Sequence, residues 1–565
     1  MRCLAALAGL LAALLVSAPG QAAVRKLTFS VAVTAPDEAG GHVSLDTDVY
    51  LPAEPAPRGG WPLVEVFHGG GSDKANAYDA GHARFFAEHG YVSLIYSQRG
   101  HGASGGLTAV AGPNEMHDLF DVTHWALGHG FGIDGRRIAL TGYSQGGLTT
   151  NLAQVWASDR AINPYGIHFT VLEPGNTPDY VIDALDPNGV AKLSVGVGLI
   201  ETYLIGAHAH ISPLLAKWIA TEAADADQAQ GASRCDVSFH DTPTSPTLND
   251  LAARSVGCFA RRMTPPVLWA QAFDDAVFPS NMAISMWRRM PHRSANRLYL
   301  SMGGHAAPAA DAAVESDKLS VQLAYLDHYL RGRPLSLPAV IYWVRDPAVR
   351  VPADAYRYPP AAWLRRTATQ WPPRGVRETR LGLGADGVIG ARPAAGTLPL
   401  AGGQVDPGSD SVLQAAFSAT PLGATPVAPG ATGTSVPGVV AGFATPPLAA
   451  DRELSGNTVL RLAWTPNAPD TELVAKLYDR APDGTLTLLA RGVDGLRGAT
   501  PGQPRTLTFA TNDFSVLVHR GHSVLLTVSA GDASFYKPFA DSSAGGTLGA
   551  GPASTVTLPL PPAGL

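Results

Sequence analysis

Ser144, Asp275 and His305 lie far apart in the chain, yet they are the three residue types that attack on a carbonyl carbon requires: a hydroxyl nucleophile, an orienting acid and a general base. Ser144 stands in Gly142-Tyr143-Ser144-Gln145-Gly146-Gly147, after the apolar run Ile138 to Leu140 and before the helix-forming stretch Leu148 to Trp156. A buried strand turning sharply into a helix holds such a hydroxyl up on a strained elbow, where a base can take its proton. A second Gly-x-Ser-x-Gly, Gly102-Ala103-Ser104-Gly105-Gly106, follows the polar segment Ser97 to His101. Without a strand before it or a helix after it, Ser104 is read as a loop residue.

The partners come later in the chain, each after a short apolar run. Asp274 and Asp275 follow Val267 to Ala270, and Gly303-Gly304-His305 follows Leu298 to Leu300. Asp275 is preferred as the acid because it stands four residues before Pro279, and Asp274 is the alternative. His305 then serves as base and later as acid. The order Ser, Asp, His is that of one large class of α/β enzymes, whose loops leave the carboxyl ends of parallel strands and converge there. His68-Gly69-Gly70-Gly71 follows the apolar run Leu63 to Phe67. Its glycines let backbone amides face a developing oxyanion, and the amides of Gly70 and Gln145 are the candidate donors. The alternative is a tight turn in which glycine serves geometry only.

Other polar residues were weighed against bland roles. Glu65, inside an apolar strand, needs either a partner or a cavity. Glu173, at the end of Phe169 to Leu172, is the nominee to bind a substrate amine, against the reading of a paired or solvated loop residue. His208 and His210 are spaced too closely to share a helix face, so no metal is expected there. Neither a metal nor an organic cofactor is required by the chemistry above.

Positioning these residues calls for alternating strands and helices. Leu27 to Tyr50 alternates as two antiparallel strands at a sheet edge. The continuous runs Leu63 to Phe67, Tyr91 to Tyr96, Arg137 to Leu140, Phe169 to Leu172, Val267 to Ala272 and Leu298 to Leu300 read as strands buried on both faces. Helical stretches at Ala75 to Glu88, Glu115 to Ala126 and Ser320 to Leu330 complete a mostly parallel sheet covered on both sides. Asp179 to Ala229 breaks the rhythm with helical spacing and is read as a cap, spanning about residues 175–262 with the loop that carries Cys235 and Cys258. From about residue 375 only strand-like alternation remains, with a hairpin signal at Pro482-Asp483-Gly484, as expected for a β-sandwich or jelly roll over 375–565.

Residues 1–23 have the pattern of a secretory leader: Met1-Arg2, an apolar run from Leu4 to Val16, then small residues. Export to an oxidising compartment makes a Cys235–Cys258 disulfide the expected state of the two remaining cysteines. A net charge of -6 over 565 residues gives no footing for nucleic acid or an anionic membrane surface. No membrane anchor is expected, and oligomeric state is left open.

Taken together, Gly142 to Gly147, Arg99-Gly100-His101-Gly102-Ala103-Ser104-Gly105-Gly106, Asp275 to Pro279, Gly303-Gly304-His305 and Tyr325 to Gly332 resemble the Xaa-Pro dipeptidyl-peptidase and cocaine-esterase-like group of serine hydrolases. The resemblance implies an α/β-hydrolase domain over residues 24–374, capped by helices, and a C-terminal jelly roll. It also implies cleavage of a small ester or a short peptide through an acyl-enzyme. The chain departs from the group in having Tyr96-Ser97 where relatives often have Tyr-Asp, and in having no tyrosine after His68-Gly69 to donate to the oxyanion. An ester or amide hydrolase is therefore the first expectation, a Xaa-Pro dipeptidyl-peptidase using Glu173 the second, and a non-catalytic binding protein built on the jelly roll the third.

Overall fold

A computed structural model describes residues 24–561, apart from 38–39, most of 201–251, 293, 303, 306–311, most of 347–362, 403–437, 534 and 540–543. The leader read over 1–23 and His208 lie outside the described residues. The two alternating runs near the start form β1 (Arg25–Val33) and β2 (Val43–Leu51), paired antiparallel with Val31 opposite Leu45 and Val33 opposite Val43. The apolar runs become β3 (Trp61–Phe67), β4 (Val92–Tyr96), β5 (Ile133–Tyr143), β6 (Val171–Gly175), β7 (Leu268–Ala272) and β8 (Arg297–Ser301). A further strand, β9 (Val340–Arg345), follows. The sheet order is β1-β2-β4-β3-β5-β6-β7-β8-β9, and every pairing from β4 through β9 is parallel.

Helices cover both faces. On one lie α1 (Ala77–Glu88), whose start is fixed by the Asn76 side chain accepting from the amides of Tyr78 and Asp79, and the long helix after β8. On the other lie α2 (Pro113–Gly128) and α3 (Gln145–Trp156), with proline in the first turn of α2, where its missing N–H costs nothing. Of the predicted cap, the described part contains α4 (Val181–Leu185) and α5 (Leu193–Ile200). Cys235 and Cys258 are joined by a disulfide, with Cα atoms 5.2 Å apart. After β7 come α6 (Ser280–Arg289) and, after β8, α7 (Ala312–Arg331). This is the α/β-hydrolase fold. Neither α6 nor β9 was expected from the sequence. Helix α6 begins directly behind Pro279, and β9 lies behind the Pro-rich stretch after Arg331.

Among the described residues the C-terminal part is built of β-strands, as expected. The strands Thr379–Leu383, Gly546–Leu558, Val459–Pro466 and Arg505–Ala510 belong to a six-stranded sheet, and Val440–Ala444, Ser523–Ser529, Thr471–Arg480 and Leu486–Leu496 form a four-stranded one. Leu460, Leu462, Trp464 and Val556 of the first sheet share one core with Phe443, Leu473, Leu477 and Leu526 of the second. The turn at Pro482-Asp483-Gly484 closes through Ala481 and Thr485. Hydrogen bonding does not stop at Arg374. Strand Phe514–Val518 joins the β1–β9 sheet beside β9, and Arg452–Gly456 follows it. No helix among the described residues is long and apolar enough to cross a membrane.

One buried ion pair ties the loop after β4 to α2. Arg99 donates to Asp118 from Nε at 2.9 Å and Nη2 at 2.7 Å, and to the carbonyls of Ala35 and Pro36. Both side chains are almost wholly out of water, so removing one partner leaves an uncompensated charge. Asp118→Ala is expected to cost about 3–5 kcal/mol of stability, measured by urea unfolding.

Candidate active site

The elbow at Ser144 is made by backbone crowding. Ser144 takes φ 58° and ψ -123°, a conformation that L-residues avoid unless their surroundings impose it. The surroundings are glycines. A Cβ on Gly142 would meet the Gly146 carbonyl carbon at 2.6 Å, and one on Gly146 would overlap the carbonyl of Phe67 at the end of β3. Only Gly-x-Ser-x-Gly lets α3 start this close to β3 and β5, and the amide of Ser144 completes the turn on Gly175 O at 3.0 Å. Gly146→Ala is expected to lower stability by about 3 kcal/mol, the upper end for overpacking, read from the shift in the urea midpoint.

The three distant residues meet at the carboxyl ends of β5, β7 and β8. His305 Nε2 lies 2.8 Å from Ser144 Oγ, and Nδ1 lies 2.9 Å from Asp275 Oδ2. Asp275 is fully buried and also receives the amides of Val277 and Phe278 on Oδ1, each at 2.8 Å. These donors fix the carboxylate, and the carboxylate fixes the ring tautomer with Nδ1 protonated and Nε2 free to accept. Asp274 turns elsewhere and accepts from the amide of Gly304 at 2.9 Å. Ser104 is a loop residue, donating to Ser97 O and accepting from the amide of Asp46.

Gly69 and Gly70 pass beside the serine; a Cβ on Gly69 would lie 3.6 Å from Ser144 Cβ. Gln145 begins α3, so its amide points out of the helix N-terminus, where the helix dipole favours negative charge. The loop is locked from behind by Gln98. Its amide donates to His68 Nε2 at 2.8 Å, its Nε2 donates to His68 O at 2.8 Å, and its Oε1 accepts from Thr149 Oγ1 at 3.0 Å. His68 Nδ1 donates to Gly69 O, and burial pushes the imidazole down to about 3, so the ring stays neutral. Tyr203 enters from the cap, donating to Gln145 Oε1 at 2.6 Å, and a Cβ on Gly70 would fall on its hydroxyl. Sequence reading missed Tyr203 and Gln98. Gln98 had a usable signal, as a polar residue directly after a buried strand; Tyr203 had none, because cap side-chain directions have no periodic constraint toward the sheet.

The remaining candidates lie elsewhere. Glu173 is fully buried in β6 near Gln322 of α7, and burial raises its acid well above the ordinary carboxyl range. Burial inside a strand sets Glu173 apart from the residues that gather around Ser144. Glu65 is likewise buried, near Thr123 of α2, and is pushed up to about 8 by burial. His210 is exposed and serves through its backbone, pairing with Gly100 and Thr108.

Residues 40–307 match the model of the X-Pro dipeptidyl-peptidase (S15 family), and residues 335–547 match that of the X-Pro dipeptidyl-peptidase C-terminal non-catalytic domain. No curated protein sequence matches the chain. Among solved structures it is similar to an aminopeptidase from the marine sediment archaeon Thaumarchaeota archaeon, with TM-score 0.68, 14% identity, and 95% of this chain and 96% of that one covered. It is also similar to an alpha-amino acid ester hydrolase, with TM-score 0.67, 17% identity, and 97% and 98% covered. A CocE/NonD family hydrolase from Staphylococcus aureus gives TM-score 0.63, 14% identity, and 95% and 93% covered. At these identities the likeness is one of fold. With one family model on each part of the chain, the protein belongs to the X-Pro dipeptidyl-peptidase (S15) family of serine hydrolases.

Proposed function

We propose that the protein is an exported hydrolase that cleaves small esters through an acyl-enzyme. The observation that carries this reading is the continuous hydrogen-bonded line from Ser144 Oγ through His305 to Asp275. Ser144 Oγ attacks the carbonyl carbon as His305 Nε2 takes its proton, and Asp275 holds the imidazolium that forms. The carbonyl oxygen, now negative, receives the amides of Gly70 and Gln145 at the positive end of α3. Collapse expels the alcohol, protonated by His305, and leaves the acyl group on Ser144. Water activated by the same histidine then releases the acid. No metal or organic cofactor enters this sequence. The leader pattern over 1–23 and the Cys235–Cys258 bridge support export.

Ester is favoured over Xaa-Pro peptide because Glu173, the carboxylate nominated to hold a peptide amino terminus, is buried inside β6. The test is the ratio of kcat/KM for a short-chain p-nitrophenyl ester to that for a Gly-Pro p-nitroanilide, with Ser144→Ala as blank. The expected ratio is well above one, with Ser144→Ala lowering kcat by roughly 10⁴ to 10⁶. A ratio below one assigns a dipeptidyl-peptidase, and activity surviving in Ser144→Ala removes the nucleophile.

Gly70→Ala checks the oxyanion loop. The added methyl lands on the Tyr203 hydroxyl, so loop and tyrosine cannot both keep their places. Displacing one donor is expected to lower kcat by about 10² to 10³ with KM little changed, measured with the same ester.

A further inference from the structure

The two peptide units that clasp Asp275 are held at their other ends by a single ammonium. Asp275 Oδ1 accepts from the amides of Val277 and Phe278, each at 2.8 Å. The carbonyls of those same peptides belong to Ala276 and Val277, and both accept from Lys192 Nζ, at 2.9 Å and 3.1 Å. Two parallel paths therefore run from one charge to one carboxylate oxygen, each a hydrogen bond, a peptide and a second hydrogen bond. Linked bonds of this kind polarise each other, so an ammonium on the carbonyl makes the N–H beyond it a stronger donor.

Lys192 comes from the cap, between the short turn Pro187–Gly189 and α5, and its main-chain amide is tied to Leu185 O at 2.8 Å. It is 5% exposed. Burying an ammonium is costly, and a hydroxyl or amide would cover two carbonyls without that cost, so the charge itself calls for a purpose. The charged groups facing it are Asp275 from the acid loop, Arg491 from the C-terminal strand Leu486–Leu496 and Asp186 from the cap. Burial brings the ammonium down to about 7, with Asp275 and Asp186 opposing that shift and Arg491 adding to it. Its charge is thus present on the acid side of neutrality.

We propose that Lys192 is a positioning residue of the triad, and that its charge, relayed through the Ala276–Val277 and Val277–Phe278 peptides, sets how strongly Asp275 stabilises the His305 imidazolium. The proposal rests on the Ser144–His305–Asp275 reading above. A positive charge behind the carboxylate weakens its pull on the imidazolium, which keeps His305 in the neutral, proton-accepting form at lower pH.

The experiment is the pH dependence of the second-order rate at which a neutral organophosphonate labels Ser144 in the full-length protein, a rate that reports His305 in the free enzyme whatever the substrate. Lys192→Met keeps the length of the side chain and removes the charge. Its acid limb is expected to move to higher pH by about half a unit or more, whereas Lys192→Arg, with its charge and two donors, leaves the limb where it is. An unmoved limb in Lys192→Met overturns the proposal even if the plateau rate falls, because a merely structural filler changes the plateau alone. Equal shifts in the Met and Arg variants also overturn it, since the loop and not the charge was then responsible. If Lys192→Met does not fold, Lys192→Gln carries the same comparison. Label found on a residue other than Ser144 in the wild type is a failure of the triad reading instead, and mass mapping of the labelled peptide separates the two.

Discussion

The close approach of α3 to the ends of β3 and β5 is the constraint on which the site depends. It leaves no room for a Cβ at Gly142 or Gly146, and it forces Ser144 into a conformation that an isolated peptide would leave. The same approach carries the Gln145 amide to the tip of the helix and brings Gly69 within contact distance of the serine. Strain at one residue is held by packing around it, and the neighbourhood is correspondingly rigid. Directly below, Tyr143 is covered by Lys318, whose ammonium lies 4.5 Å over its ring and bonds Glu315 at 2.6 Å and Tyr78 at 2.7 Å. That network fastens the elbow to α7 from the face opposite the pocket.

The buried polar groups show where local sequence could be read and where it could not. Ser144, Asp275 and His305 were legible because each follows an apolar run that can only be a buried parallel strand, and residues just past such strands gather at one edge. The edge hairpin of β1 and β2 was legible from alternation. Glu173 also follows an apolar run, but β6 extends through Gly175, so Glu173 lies inside the strand and its side chain faces the helix layer. A shift of two residues in a strand end separates a pocket residue from a core residue, and composition does not settle such a boundary. Helix α6 went unread although Pro279 stands directly before it, as prolines at helix starts do.

The side chains that hold the site from outside the sheet were illegible for a different reason. Tyr203 and Lys192 belong to the cap, whose path depends on what it packs against and not on its own periodicity. What it packs against is partly the C-terminal domain. Asn188 donates to Val493 O at 2.8 Å, Lys537 N donates to Ala191 O at 2.8 Å, and Val190 shares an apolar cluster with Ala276, Val474, Phe535 and Tyr536. The acid loop is thus pressed between cap and sandwich.

That arrangement packs the second domain against the loop of the first that carries Asp275. Ala276 touches the apolar cluster through its side chain and Lys192 through its carbonyl, while the next amide holds Asp275. Ser280, at the start of α6, donates to Asp513 O, and Trp371 donates to Asp513 Oδ1 at 2.7 Å, so the far end of the same loop is anchored to the sandwich as well. Keeping the Asp275 carboxylate within hydrogen-bond reach of His305 calls for a well-held loop, and a loop on the rim of an open sheet has few neighbours of its own. The β-sandwich and the cap supply them, so the C-terminal part helps to hold the loop that carries Asp275.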